Sequence, residues 1–377
     1  MAEFGASVAA VAHVLEAPDR ARIERELTEC AGLARSEVLE RYMEGRPPTP
    51  QECHEKGSLV GKAVTGSASN RSHAVKALVP HIRIQEESGV SLLRDGLNLC
   101  FYVRHPHREI ARAVAHSLDI YVKAIGPGAL CRFFDADGYS QPLDEFEWSR
   151  IRRELLEESW ASFDLWDTSG SEALYRAEYS GAPLGAPLLE ERPHASCALS
   201  FWLPTEYLEE HGPERLRELA LELAAPLPLC FGQVGFSFNG WADILGVLRL
   251  IRELCFRYPG MDIPEFSWLS WKLGERVRGP SWMTFLGQPV LGELGGADGL
   301  RSRLSSPGTT VQALEGERAV VTLGSAPDAG DLEQGNVLPA YRELARVLEP
   351  WLYRGPDHHS LDFTAEDMRR WERRFLD

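Results

Sequence analysis

The sequence of 377 residues lacks the features that mark membrane proteins and nucleotide-binding enzymes. No run of about 18 uncharged apolar residues occurs, so no membrane-spanning helix is expected. Residues 1–16 contain Glu3 and neither Lys nor Arg, which makes a secretory signal a poor interpretation. Phosphate-binding glycine loops, GxGxxG or GxxxxGK followed by Ser or Thr, are missing as well. We therefore expect no membrane partner and no nucleotide cofactor.

Lysine is scarce, and the positions of the few lysines argue against one class of nuclease. Only five of the 40 basic residues are lysines, and none has an acidic residue two positions before it. An acid, any residue and then Lys form part of the metal-binding site of restriction-endonuclease-fold nucleases. The sequence therefore predicts no nuclease activity of that type.

The cysteines form no recognisable framework. There are seven, no two are closer than 23 residues, and several lie in apolar runs, such as Cys100. No CxxC pair of the kind that zinc and redox sites use is present. Reduced thiols in a cytoplasmic protein, with no metal, are the plain interpretation.

Basic residues are outnumbered, and the imbalance is uneven along the chain. The 40 basic and 56 acidic residues give a net charge of -16. Residues 1–85 hold 11 of each sign, so the remaining 29 basic and 45 acidic residues place the whole excess in 86–377. Such a field repels nucleic acids and anionic lipids and fits a basic protein partner or simple solubility.

Aromatic residues are nearly absent from the first 85 positions, which contain only Phe4 and Tyr42 of the 35 in the chain. Aromatic side chains supply much of a core's buried area. We therefore predict a helical appendage with a linker at 1–85 and a self-sufficient domain at 86–377. Apolar residues at steps of three and four between Ile23 and Tyr42 predict the main helix of the appendage.

The large domain alternates strand-like and helix-like segments, which predicts an α+β fold with a mixed or antiparallel sheet and packed helices. A duplicated β-α-β unit is one possible arrangement. The predicted strands are Leu97–Val103, Leu130–Phe134, Ala198–Leu203 and Leu229–Phe238, with a hairpin of Thr310–Leu314 and Ala319–Leu323. The predicted helices lie between His105-Pro106 and Gly126-Pro127 and at Pro213–Ala225, Ala242–Arg257, Met283–Leu291 and Leu338–Leu352.

A few polar groupings invite a catalytic interpretation. His105 and His107 could bind a metal, although an HxH before a helix is more often part of the helix entry. His116 and Asp119 share a helical face and are expected to form a hydrogen-bonded core pair. Residues 357–359 (DHH) are expected in a surface loop, and Ser237 in a buried strand. A metal-dependent hydrolase and a self-assembling structural subunit remain alternative functions.

Two acidic clusters, at Asp144–Trp148 and Glu154–Glu158, are the stronger signal. They are typical of a solvated helix face. They would also suit a surface that steers a basic protein with carboxylates and holds it with an aromatic anchor. The candidate partner-binding residues are Asp144, Glu145, Glu147, Trp148, Glu157 and Glu158. No catalytic residue is predicted.

Five stretches of the large domain carry a family resemblance: 96–122 (GLNLCFYVRHPHREIARAVAHSLDIYV), 231–241 (FGQVGFSFNGW), 257–263 (RYPGMDI), 281–296 (SWMTFLGQPVLGELGG) and 319–331 (AVVTLGSAPDAGD). Through these stretches residues 93–377 resemble the type VI secretion immunity proteins. The resemblance implies a non-enzymatic protein that binds a cognate bacterial toxin, of the nuclease type, and neutralises it by occlusion. It implies no catalytic residues and leaves the oligomeric state open.

The appendage has a second resemblance. Residues 40–53 (ERYMEGRPPTPQEC) are similar to a segment upstream of the nuclease core in restriction-endonuclease-fold polymorphic toxins. Such toxins are often encoded beside immunity proteins. The resemblance implies either a remnant of a toxin or a mimic of its helical segment.

Overall fold

The computed structural model describes residues 79–85, 91–135, 138–167, 174–240, 247–355 and 364–377. The predicted appendage helix, the segment 40–53 and residues 357–359 lie outside these ranges, as does the start of the helix predicted at Ala242–Arg257. The division of the chain at residue 85 stays a prediction. Strand β1, Arg83–Gln85, lies just before that division and pairs with the central strand of the sheet.

A single antiparallel sheet of eleven strands runs through the described part of the chain. Its order is β10-β11-β9-β8-β2-β7-β6-β5-β3-β4, with β1 beside the first residues of β2. After β1 the strands are β2 Ser91–Val103, β3 Arg132–Phe134, β4 Ser140–Pro142, β5 Ala161–Trp166, β6 Arg176–Gly181, β7 Cys197–Pro204, β8 Leu229–Gly240, β9 Met283–Leu286, β10 Thr309–Leu314 and β11 Arg318–Leu323.

Nine helices accompany the sheet within the described residues. They are α1 His107–Ile125, α2 Glu145–Glu157, α3 Thr205–Ala224, α4 Val247–Cys255, α5 Phe266–Lys272, α6 Val290–Glu293, α7 Gly296–Arg301, α8 Pro339–Leu348 and α9 Ala365–Glu372. Helix α3 is interrupted at Gly212, whose φ of 79° lies in the left-handed region and precedes Pro213. The predicted α+β class with an antiparallel sheet is confirmed.

Strand β2 is the centre of the core, and all thirteen of its residues are buried. It pairs with β7 on one side and with β8 on the other. Leu99 lies opposite Phe201, and Tyr121 of α1 packs on the ring of Phe201 with 4.6 Å between centroids. On the other face Asn98 donates to Ser200 at 3.0 Å. Because successive residues of a strand point to opposite faces, β2 needs partners on both, which explains why residues 97–103 are apolar except for Asn98.

Several predicted elements occur as expected. The hairpin of β10 and β11 turns at residues 315–317, where Gly316 has a φ of 70°. Helix α1 ends at the predicted Gly126. The two β-α-β units of the predicted duplication are β2-α1-β3 and β7-α3-β8. They are arranged differently in the sheet: β7 and β8 lie on either side of β2, whereas three strands separate β2 from β3.

The prediction of a helix at Met283–Leu291 is wrong. Residues 283–286 form β9, which pairs with β8 and β11. The chain then passes Gly287, where an added Cβ would lie 2.1 Å from the carbonyl oxygen of Leu229. Only a residue without a side chain fits this close approach to β8. The four-residue helix α6 begins after it, at Val290.

Candidate partner-binding surface on helix α2

Helix α2 carries both acidic clusters and is fixed to the domain by one side. Ile151 and Leu155 are buried, and Trp148 packs against the core while remaining half-exposed. Arg152 pairs with Asp119 of α1 at 2.6 Å, which ties the two helices together. The opposite side of α2 faces solvent.

The N-terminal candidates have a structural role in the helix itself. Asp144 is the N-cap, and its side chain accepts a hydrogen bond of 2.9 Å from the backbone N–H of Glu147. Glu145 and Glu147 lie in the first turn, where carboxylates interact favourably with the positive end of the helix dipole. Glu147 also accepts from Arg150 at 2.7 Å. Local helix chemistry therefore accounts for these three acids.

The C-terminal candidates have no such explanation. Glu157 and Glu158 are exposed at the end of α2, whose last turn contains no basic residue. Carboxylates near a helix C-terminus lie at the negative end of the dipole and are unfavourable there. Within the described part of the chain, neither side chain has a hydrogen bond or an ion pair. These two acids are therefore the stronger candidates for binding a positively charged partner.

Trp148, the candidate aromatic anchor, is half-buried beneath Arg152, whose guanidinium lies 5.5 Å from the ring centroid. The outward-facing aromatic residue of α2 is Phe146, which is 71% exposed. Sequence reasoning missed this residue. Trp148, Ile151 and Leu155 follow helical spacing along one face, and Phe146 lies roughly opposite to it. The sequence did contain a signal for Phe146, because it is an apolar residue that does not follow the helical spacing of Trp148, Ile151 and Leu155.

Exposed apolar side chains are concentrated around α2. Of the six large apolar residues that the described part of the chain exposes, four lie between positions 139 and 160. They are Tyr139 (61%), Phe146 (71%), Leu156 (51%) and Trp160 (45%). Apolar groups among charged ones are typical of a protein-binding surface, where a few apolar anchors carry much of the affinity. We call residues 139–160 with these side chains the α2 surface.

The other candidates do not converge on a catalytic centre. His105 is exposed and lies 3.2 Å from Glu109, whereas His107 is buried with its Nδ1 2.7 Å from the Tyr179 hydroxyl. Burial lowers the pKa of His107. No group of three or more His, Cys, Asp or Glu able to hold a metal occurs in the described ranges. Ser237 lies in the buried strand β8, as predicted.

The predicted core pair of His116 and Asp119 is wrong. Both side chains are exposed on α1, and Asp119 pairs with Arg152 of α2 instead. The buried positions of this part of α1 are Val114, Ser117, Leu118 and Tyr121. The helical face that contains His116 and Asp119 therefore points away from the sheet.

The cysteines that the structure describes are free thiols, and burial makes four of them unreactive. Burial raises the pKa of Cys100, Cys230 and Cys255 to about 12 and that of Cys197 to about 11. Such thiols are protonated at neutral pH and are poor nucleophiles. Among the described helices, none combines the length and the apolar composition that a membrane-spanning segment requires.

Comparison with known proteins assigns the class. A family profile of type VI immunity matches residues 113–375, from within α1 to just beyond α9. Because the profile matches most of its length, this chain is a type VI immunity protein. It belongs to the TsiV family, described as type VI immunity for VRR-NUC.

A solved structure has the same fold. The Pseudomonas aeruginosa T6SS protein PA0821 superposes with a TM-score of 0.64 over 77% of this chain and 84% of its own, at 19% sequence identity. At that identity the likeness shows the fold alone. No curated protein matches the chain in sequence.

Proposed function

We propose that this chain binds a nuclease toxin of the VRR-NUC type and neutralises it by occlusion, without catalysing a reaction. The family match over residues 113–375 carries the proposal, because that family is described as immunity against VRR-NUC. The excess of acidic residues in 86–377 supports it. A nuclease must attract a polyanionic substrate, so its substrate cleft presents positive charge that carboxylates can meet.

The α2 surface is the proposed contact. Its carboxylates would steer a basic toxin toward the helix and accelerate association. Phe146 and Leu156 are exposed, one within each acidic cluster, and would lose their contact with water on binding and supply affinity. A protein seated on the substrate cleft blocks DNA without touching the reacting atoms.

We place this encounter in the cytoplasm, where the toxin meets its substrate and where the buried free thiols stay reduced. The segment 40–53 remains part of the proposal as either a toxin remnant or a mimic of the toxin's helix. The predicted domain division at residue 85 also remains a proposal.

A cleavage assay with the cognate VRR-NUC toxin tests the function. Plasmid DNA is incubated with the toxin and a divalent cation while the chain is added in increasing amounts. We expect cleavage to stop near one equivalent, and the double variant Phe146→Ala/Leu156→Ala to need a large excess. Val337→Ala, which shortens an exposed apolar residue outside α2, is the matched control. Undiminished cleavage at excess wild-type chain would contradict the proposed function.

A further inference from the structure

A groove opens beside the C-terminal half of α2. It has a volume of about 380 Å3 and lies between this helix and strands β3 and β5. Three charged residues of the α2 segment line it, namely Arg150, Glu154 and Glu158. The remaining lining residues are Phe133, Phe134, Ile151 and 160–165. The groove thus combines carboxylates with aromatic walls.

Two of the three carboxylates in the groove already have partners. Glu154 accepts two hydrogen bonds from Arg150, at 2.8 and 2.9 Å. Asp164 accepts two from Arg176, at 2.8 and 2.6 Å. Glu158 has no hydrogen bond or ion pair through its side chain within the described residues. One exposed carboxylate therefore remains in the groove, at the negative end of the α2 dipole.

The aromatic residues that line the groove are suited to binding a positively charged group. Arg150 already lies over Phe133, with its guanidinium carbon 5.5 Å from the ring centroid. Trp160 is 45% exposed and approaches Trp271 at 5.9 Å between centroids, which leaves part of the indole open to a ligand. Tryptophan binds cations over its ring face more strongly than the other aromatic residues do.

We infer that this groove receives a basic side chain of the bound toxin, which pairs with Glu158 and packs against Trp160. The inference rests on the proposed function and adds the position and chemistry of one contact. A flat acidic surface would attract a basic partner without choosing an orientation. An exposed carboxylate that lines a groove beside an indole fixes one cationic residue and so sets the orientation of the complex.

The chain offers a closely matched control, because Glu157 and Glu158 are adjacent, exposed and at the same end of α2. Only Glu158 lines the groove. The experiment measures the dissociation constant of the toxin for wild type, Glu157→Gln, Glu158→Gln, Trp160→Phe and Trp160→Ala. Thermal melting of each free variant shows whether it is folded.

We expect Glu158→Gln to weaken binding at least tenfold and Glu157→Gln by less than threefold. Trp160→Ala should also weaken binding at least tenfold, while Trp160→Phe keeps part of the affinity. Equal, small effects of Glu157→Gln and Glu158→Gln with tight wild-type binding would overturn the groove contact and leave the proposed function standing. Absence of wild-type binding would overturn both.

Discussion

The backbone N–H of Glu147 donates a 2.9 Å hydrogen bond to the carboxylate of Asp144, which caps the first turn of α2. The acidic residues of α2 therefore fall into two groups according to their effect on the helix. Those at the N-terminus stabilise the helix, whereas Glu157 and Glu158 oppose its dipole. The two groups should therefore respond differently to substitution.

Asp144→Ala should lower the free energy of unfolding by about 1 kcal/mol, because it removes the cap of α2. Urea denaturation of the free protein measures this change. Glu145→Ala is the control, since the Glu145 side chain makes no hydrogen bond to the helix backbone within the described residues, and it should cost a few tenths of a kcal/mol. Equal stability of Asp144→Ala and wild type would contradict a structural role for Asp144.

Charge reversal at the other end should weaken binding but not the fold. Glu157→Lys/Glu158→Lys should slow association with the toxin about tenfold at low salt, because steering depends on charge. The free protein should melt at the wild-type temperature or above it, since lysines suit the negative end of a helix. Stopped-flow association at two ionic strengths and melting curves provide both readouts.

The matched control for that reversal is Glu209→Lys/Glu210→Lys. These glutamates are also adjacent and exposed, near the end of the first segment of α3. The net charge changes equally in both double variants. If both variants slow association to the same extent, only the overall charge matters and α2 is not the contact.

Substitutions of Phe146 and Trp148 should affect different properties, although both are aromatic residues of α2. Phe146→Ala should accelerate dissociation of the toxin without changing stability, because Phe146 is 71% exposed in the free protein. Trp148→Ala should instead lower stability by about 2 kcal/mol, because the half-buried ring packs against the core. Surface-based kinetics and melting curves distinguish the two. A stable Trp148→Ala variant that loses the toxin rapidly would restore Trp148 as the anchor.

Glu178 should make stability depend on pH. Burial raises its pKa from 4.5 to about 7, with nearby Asp164 adding to the shift and Arg176 opposing it. The folded state thus binds the proton more tightly than the unfolded state. Its stabilising contribution is complete below pH 4.5 and is lost as the pH rises to about 7.

Glu178→Gln should therefore narrow the difference in melting temperature between pH 5 and pH 8. The exposed Glu190→Gln is the control and should leave that difference unchanged. Identical pH profiles for Glu178→Gln and wild type would show that Glu178 is ionised in the fold throughout this range.

The predicted domain division can be tested with two truncated chains. A chain that begins at Val79 keeps β1, whereas one that begins at Glu86 loses Arg83 and its ion pair with the buried Asp95. Both should unfold cooperatively, the second with about 3 kcal/mol less stability because Asp95 loses a partner. Denaturant unfolding compares them. A chain from Glu86 without a cooperative transition would contradict the division at residue 85.

Local sequence signals were sufficient for some elements. The hairpin of β10 and β11 is contiguous, and a glycine turn separates its two apolar runs. Strand β9 was missed because its neighbours, β8 and β11, are distant in sequence and impose a strand on a segment without strong periodicity. Pairing with distant strands outweighs weak local propensity.

The acidic candidates were recognisable from composition, but their surroundings were not. Trp160 and Phe133 line one groove only because β5 pairs with β3 and α2 lies across them. Similarly, the sequence presents Phe146 and Trp148 as equivalent neighbours. Only the orientation of α2 on the sheet makes one exposed and the other half-buried.

Hydrogen–deuterium exchange on the chain alone and with the cognate toxin tests the central claim most directly. The account predicts that peptides covering 139–160 exchange more slowly in the complex, while the exposed part of α3 around Glu209 is unchanged. Protection confined to other elements, with peptides of α2 exchanging at their free rate in a saturated complex, would contradict the assignment of the α2 surface as the toxin contact.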